Sequence, residues 1–326
     1  MVRKESKMIK KRLGFLFVGF SLFIFSITFI GAGTALAVEQ ISMGTSLVGG
    51  LFYNLGAPVA QVINSVLPEV NITAEFTEGS TENLRLIGQK KMQLAIISPM
   101  IGYFARNGTA MFKDKPVDFR VVARLLPNGN VWTVLKKNKD IHTIDDFRGH
   151  KVGIGTGGIG TVSRLQLEFH GIDIKKDIKP FFLPTGALAD ALKDGSVDVS
   201  FLTKELAIMV TATHDIRIIP WHEKEIDEYV GQKPYFGKYV YPPNTFKGVD
   251  YEVLTVDNGI QLICDKDMSD EVVYKLAKAL AENLNAVTKI YAPAKALTPA
   301  WLASKLGNPF HPGAIKYYKE AGLWKE

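Results

Sequence analysis

Residues 40–56 read QISMGTSLVGGLFYNLG. Ile41 and Met43 alternate with polar neighbours as a short strand does, and the strand runs into a turn carrying Gly44, Gly49, Gly50 and Gly56, with Thr45 and Ser46 inside it. An apolar helical pattern continues from Ala57 to Val66, with Val59, Val62, Ile63 and Val66 on one stripe and Pro68 beyond its end. A turn of this kind at a helix N-terminus leaves backbone N–H groups without intrahelical acceptors, so it can hold an anion with no cationic side chain.

The arrangement returns at Lys151 to Thr161, KVGIGTGGIGT: a strand, a glycine-rich turn with threonines, and a helix start. The segments beyond the two turns match as well. Each turn is succeeded by a strand, a threonine-glycine corner (Thr77 to Gly79; Thr185 and Gly186), a helix and a second apolar strand closed by a hydroxyl residue. In the first half these last two are STENLRLIGQKK and MQLAIIS, ending at Ser98; in the second, ALADALKDG and VDVSFLT. The chain therefore holds two similar α/β units, each with a glycine-rich mouth, and two facing mouths make a cleft.

Composition agrees with two proper cores: 326 residues, 47% of them apolar. The net charge of +6 invites a nucleic-acid or membrane reading, but six of the 39 basic side chains and only one of the 33 acidic ones fall within the first 37 residues. The remainder is balanced to within one charge, which points away from nucleic acid. The basic head, the apolar run from Leu13 to Ile30 and the small residues ending at Ala35-Leu36-Ala37 have the pattern of a secretory signal cut after Ala37, and hence of a periplasmic protein. An uncleaved anchor is the alternative. Cys264, the only cysteine, sits in the apolar strand pattern GIQLIC and suits a core position.

Extended segments near 131–137 and 253–263 bracket the second unit, so two strands are expected to cross between lobes as a hinge. Thr143 to Asp146 has the look of a capped short helix, Tyr235 to Tyr251 reads as an ordered loop, and Ser269 caps a long helix running to Val287.

Catalytic and metal chemistry find little support. Gly155 to Gly160 satisfies G-x-G-x-x-G, yet the strand that would carry the ribose-binding acid, Pro180 to Gly186, has no acidic residue at its end. The six histidines lack ligand spacing, and no nucleophile elbow or P-loop is present, so neither enzyme activity, nor a metal, nor a cofactor is expected. Ser80 and Asn83 suit a helix cap or a ligand donor; Tyr53 suits a ligand contact or the core. Lys204 lies just past a buried strand, at the end where open α/β sheets bind ligands.

GTSLVGGLFYNLG, EGSTENLRLI, TIDDFRGHKVGIGTGGIGT, ALADALKDGSVDVSF, IRIIP, DEVVYKLAKAL and HPGAIKYYKEAG, in this order, resemble the successive signatures of the TAXI class of substrate-binding proteins from tripartite ATP-independent periplasmic (TRAP) transporters. The resemblance implies an α/β, two-lobed periplasmic binding protein of type II-like form, each lobe a mixed sheet flanked by helices and joined by a two-strand hinge. With the signal at 1–37, lobe 1 would comprise 38–133 and 258–326, and lobe 2 134–257. It implies a receptor that hands a small organic acid to the membrane permease subunits of a secondary transporter. Glutamate, glutamine and related carboxylates are associated with the class, and an ABC-transporter receptor is the neighbouring alternative. Its contacts would map onto Thr45, Ser46, Tyr53, Ser80, Asn83 and Gly157 to Thr161 (Gly157, Gly158, Ile159, Gly160, Thr161), to which the strand-end residues Ser98 and Lys204 are added. Leu47, Val48, Leu51, Phe52 and Ile159 stand where small hydroxyl residues, serine or tyrosine are common, so the expected ligand is a carboxylate with an apolar body.

Overall fold

The computed structural model describes residues 38–325, so the expected signal segment 1–37 lies outside the described residues. In chain order the strands are β1 (Glu39–Gly44), β2 (Val70–Glu75), β3 (Leu94–Ile97), β4 (Phe119–Arg124), β5 (Val131–Leu135), β6 (Lys151–Gly155), β7 (Lys179–Leu183), β8 (Val199–Leu202), β9 (Ile216–Ile219), β10 (Gly237–Tyr241), β11 (Val253–Asp257) and β12 (Gln261–Asp265). The helices are α1 (Leu51–Val66), α2 (Ser80–Gly88), α3 (Pro99–Arg106), α4 (Gly157–Phe169), α5 (Ala187–Lys193), α6 (Lys204–Thr211), α7 (Glu223–Gln232), α8 (Asp270–Glu282), α9 (Leu284–Ile290), α10 (Pro299–Leu302) and α11 (Pro312–Glu320). None of them is long and apolar enough to cross a membrane.

Two five-stranded mixed sheets carry the lobes, in orders β2-β1-β3-β12-β4 and β7-β6-β8-β5-β9. Both are built the same way. A parallel trio (β2, β1, β3; β7, β6, β8) meets an antiparallel strand, β12 or β5, which pairs in turn with an antiparallel neighbour. That antiparallel strand is the one arriving from the other lobe. Strand β5 is buried throughout because both its faces are covered: Trp132 and Val134 join one core, Val131 and Leu135 the other.

Residues 125–130 and 258–260 carry the chain between sheets, and they are cross-linked. Leu125 N–H donates to Ile260 O at 2.6 Å and Asn258 N–H to Asn128 O at 3.1 Å. Asp257, with no exposed side chain, accepts from the N–H groups of Asn128 (2.7 Å) and Gly259 (2.8 Å) and pairs with Arg124, whose guanidinium lies 4.0 Å from the Trp301 ring.

Several elements differ from the sequence reading. Helix α1 begins at Leu51, not Ala57, because Gly50 caps it in an extended conformation and the Ser46 hydroxyl accepts from Tyr53 N–H at 3.3 Å. The stretch read as a loop after Tyr235 contains β10, which pairs antiparallel with β11 over Gly237–Tyr241. The long helix after Ser269 is two, α8 and α9, broken at Asn283, where φ is −120° and the side chain donates to Ala279 O at 2.8 Å. Helix α7 carries a capping box between His222 and Glu225 that the sequence reading passed over.

Candidate functional site

The C-terminal ends of the parallel strands in the two sheets face a common cavity of about 580 Å³. Each turn after such a strand delivers the start of a helix to its wall: Leu51 and Phe52 of α1, Ser80 and Thr81 of α2, Ser98 ahead of α3, and Gly157 to Ile159 of α4. This is the crevice in which open α/β sheets bind ligands. Asn128, Asn130 and Asn258, from the two crossings, line it as well.

The wall formed by α4 has a distinct charge. The backbone N–H groups of Gly157, Gly158 and Ile159 have no acceptor among the described residues, as the first turn of a helix leaves them, and all three residues line the cavity. On the same helix face, Thr161 donates to Gly157 O at 3.1 Å and accepts from Arg164 at 3.3 Å, so the guanidinium is tethered along the wall. Arg164 has no carboxylate partner among the described residues, and Glu78, the one acidic lining residue, is exposed. The rest of the wall is neutral. Phe52, Met100, Ile101, Ile159 and Val162 are apolar; Ser80, Ser98, Thr185 and Thr203 offer hydroxyls.

The sequence-named residues divide into two groups. Ser80, Ser98, Gly157, Gly158, Ile159 and Thr161 line the cavity. Ser80 does not cap its own helix; its hydroxyl accepts from Ser98 N–H at 3.0 Å, tying the starts of α2 and α3 together. Thr45, Ser46, Leu47, Val48, Tyr53, Asn83, Gly160 and Lys204 lie outside the lining, each for a physical reason. Thr45 is fully buried and donates to Glu75 O at 2.7 Å, closing β1 onto β2. Asn83, also fully buried, donates to the carbonyls of Thr45 and Ile96, both at 2.9 Å, and clamps β1 to β3. Ser46 is occupied at the start of α1, Leu47 and Val48 are exposed, and Tyr53 is half-buried. Gly160 faces strand β6, where a Cβ would collide with Gly155 O. Lys204 lines a smaller cavity of about 60 Å³ that meets the larger one at Leu51 and Asn128. There it shares the wall with Glu205, Tyr239, Tyr241 and Tyr291, and burial raises the pKa of all three tyrosines, keeping their hydroxyls neutral.

Residues 43–322 match the NMT1-like family over most of the chain. The chain belongs to the NMT1-like family. Among solved structures it is similar to the periplasmic aliphatic sulphonate binding protein SsuA of Escherichia coli, with 16% identity, 88% of this chain and 94% of that one covered, and a TM-score of 0.51. It is also similar to the sulfonate-binding protein SsuA of a putative sulfonate ABC transporter of Methylobacillus flagellatus KT, with 14% identity, 88% of each chain covered and a TM-score of 0.50. At these identities the likeness is one of fold, and the fold is that of a periplasmic solute-binding protein.

In this NMT1-like chain the sequence reading missed Arg164 and the three asparagines of the crossings. Arg164 was legible in principle: Gly157, Thr161 and Arg164 fall at i, i+4 and i+7, on one face of a helix whose first turn was already singled out. Asn128, Asn130 and Asn258 carry no such periodic signal, because only the crossing of two distant segments brings them together. Among the described residues no group of three or more His, Cys, Asp or Glu side chains could hold a metal ion.

Proposed function

We propose that this NMT1-like protein is an exported solute receptor that captures a small organic anion with an apolar body between its lobes and delivers it to the permease of a TRAP-type secondary transporter. The observation that carries the reading is the α4 wall, where three N–H groups without acceptors and a guanidinium without a carboxylate converge on one cavity. An acid head there gains charge-assisted hydrogen bonds of about 1.5–3 kcal/mol each. Phe52, Met100, Ile101, Ile159 and Val162 suit an apolar body. A second carboxylate, as in glutamate, would meet no second lining cation: Lys204 stands in the smaller cavity.

A sulfonate head is the second reading, since the Escherichia coli protein of like fold is named for binding aliphatic sulphonates, and a sulfonate would use the same donors. Delivery to an ABC transporter is the corresponding alternative for the partner. Uptake abolished by collapsing the ion gradient with ATP maintained supports the TRAP route; uptake lost only on ATP depletion supports the other.

Titration calorimetry with phenylacetate, 4-methylpentanoate, hexanesulfonate and glutamate tests the ligand class. Phenylacetate or 4-methylpentanoate should bind most tightly, and Arg164→Gln should weaken that binding by about 10–100-fold, the loss of one charge-assisted bond. Tightest binding by hexanesulfonate moves the head to the second reading. Tightest binding by glutamate, or no binding by any of the four, overturns the proposal.

A further inference from the structure

Beside the cleft, on the first lobe, a second cavity of about 530 Å³ opens between α2 and the segment after α3. Met111 lines both cavities, so the two adjoin. The character of the second one is set by Arg85, Lys113 and Lys115 around an apolar floor that includes Phe112 and Val117. No acidic side chain lines it. None of the three cations has an ion pair among the described residues; the Arg85 guanidinium lies 6.0 Å from the Phe112 ring centroid. The carboxylates nearest in sequence are not part of its lining. Glu82 accepts from Glu78 N–H at 2.6 Å, Asp118 pairs with Arg120, and Asp114, between the lysines at a φ of 59°, is not part of the lining.

Resting on the anion reading above, we infer that this basic cavity is an encounter site, which gathers the same organic anions from solution and passes them across Met111 into the cleft. Its chemistry repeats that of the cleft, cations for the acid head and an apolar floor for the body. Three cations without carboxylate partners around a concave surface raise the local concentration of an anion, and such focusing speeds association by about 10–10³-fold in favourable cases. The attraction is long-ranged only while salt is low, since screening sets in over about 10 Å at 0.1 M. The site therefore acts on the association rate; the α4 wall acts on the dissociation rate.

Stopped-flow binding of phenylacetate and 4-methylpentanoate, followed by tryptophan fluorescence over a range of ionic strength, separates the two. For the triple variant Arg85→Gln, Lys113→Gln, Lys115→Gln the association rate at low salt should fall by about 3–10-fold with the dissociation rate unchanged, and the difference should vanish at high salt. Arg164→Gln should instead raise the dissociation rate. An association rate and salt dependence equal to those of the unmodified protein in the triple variant overturn the encounter site and leave the cleft reading standing. Failure of the unmodified protein to bind phenylacetate, 4-methylpentanoate or hexanesulfonate overturns both.

Discussion

The surroundings of His311 favour its neutral form. It is 1% exposed, accepts at Nδ1 from Gly313 N–H at 3.2 Å at the start of α11, and has its Nε2 3.0 Å from Met268 O, so the neutral ring with its proton on Nε2 fits both contacts. Burial lowers its pKa below the ordinary 6.5, against a smaller upward pull from Asp270. The unfolded chain therefore holds more protons between the folded value and 6.5, and stability rises with pH across that window. Burial shifts His170 in the same direction, and its Nε2 is buried without a partner among the described residues. The two histidines should thus leave the melting temperature level from about pH 7 to about pH 9 and lower it as pH falls below about 6.5. His311→Gln, which keeps an acceptor for Gly313, should make the decline shallower. A melting temperature that rises on acidification from neutrality would contradict this. Sequence could not resolve the roles of Asn83 and Ser80: both carry polar groups suited to a ligand, yet their partners are backbone atoms of Thr45, Ile96 and Ser98, contacts that exist only once the sheet has assembled.

Among the elements, the crossings between lobes carry the most concentrated polar network. Asp257 is inaccessible, serves two backbone N–H groups and faces Arg124, which is packed on Trp301 and donates to the Ser304 hydroxyl at 3.1 Å. Removing one member of a buried pair leaves the other charge uncompensated, at a cost of about 3–5 kcal/mol. Asp257→Ala should lower the urea-unfolding free energy by about that amount, and Arg124→Met in the same chain should restore part of it. A loss under about 1 kcal/mol, the value of a surface pair, would show that the pair does not hold the crossings. The crossings also mark the limit of legibility at this scale. The strands, the glycine-rich turns and the repeated helix starts were readable from period and punctuation. Strand β10 was hidden by the aromatic and proline-rich run in which it lies, and the break at Asn283 by an apolar stripe that continues into α9.

For the whole molecule, the repeated unit seen in the sequence becomes two sheets of identical construction, each completed by a strand that the chain brings over from the other lobe. The same topology sets helix starts from both lobes against one cavity, with Gly157 to Ile159 on one wall and Leu51, Phe52, Ser80, Thr81 and Ser98 on the other. A ligand touching both walls binds the closed arrangement better than the open one, and it shifts the population by that difference in affinity. Because the chain passes between the two five-stranded sheets through residues 125–130 and 258–260, closure should change the distance between lobes and leave the secondary structure unchanged. Small-angle X-ray scattering of the purified protein, with and without a saturating concentration of phenylacetate or 4-methylpentanoate, whichever calorimetry finds tighter, measures this directly. The radius of gyration should be smaller with the acid bound and the circular dichroism spectrum unaltered; an unchanged radius at proven saturation would contradict closure of the lobes on the ligand.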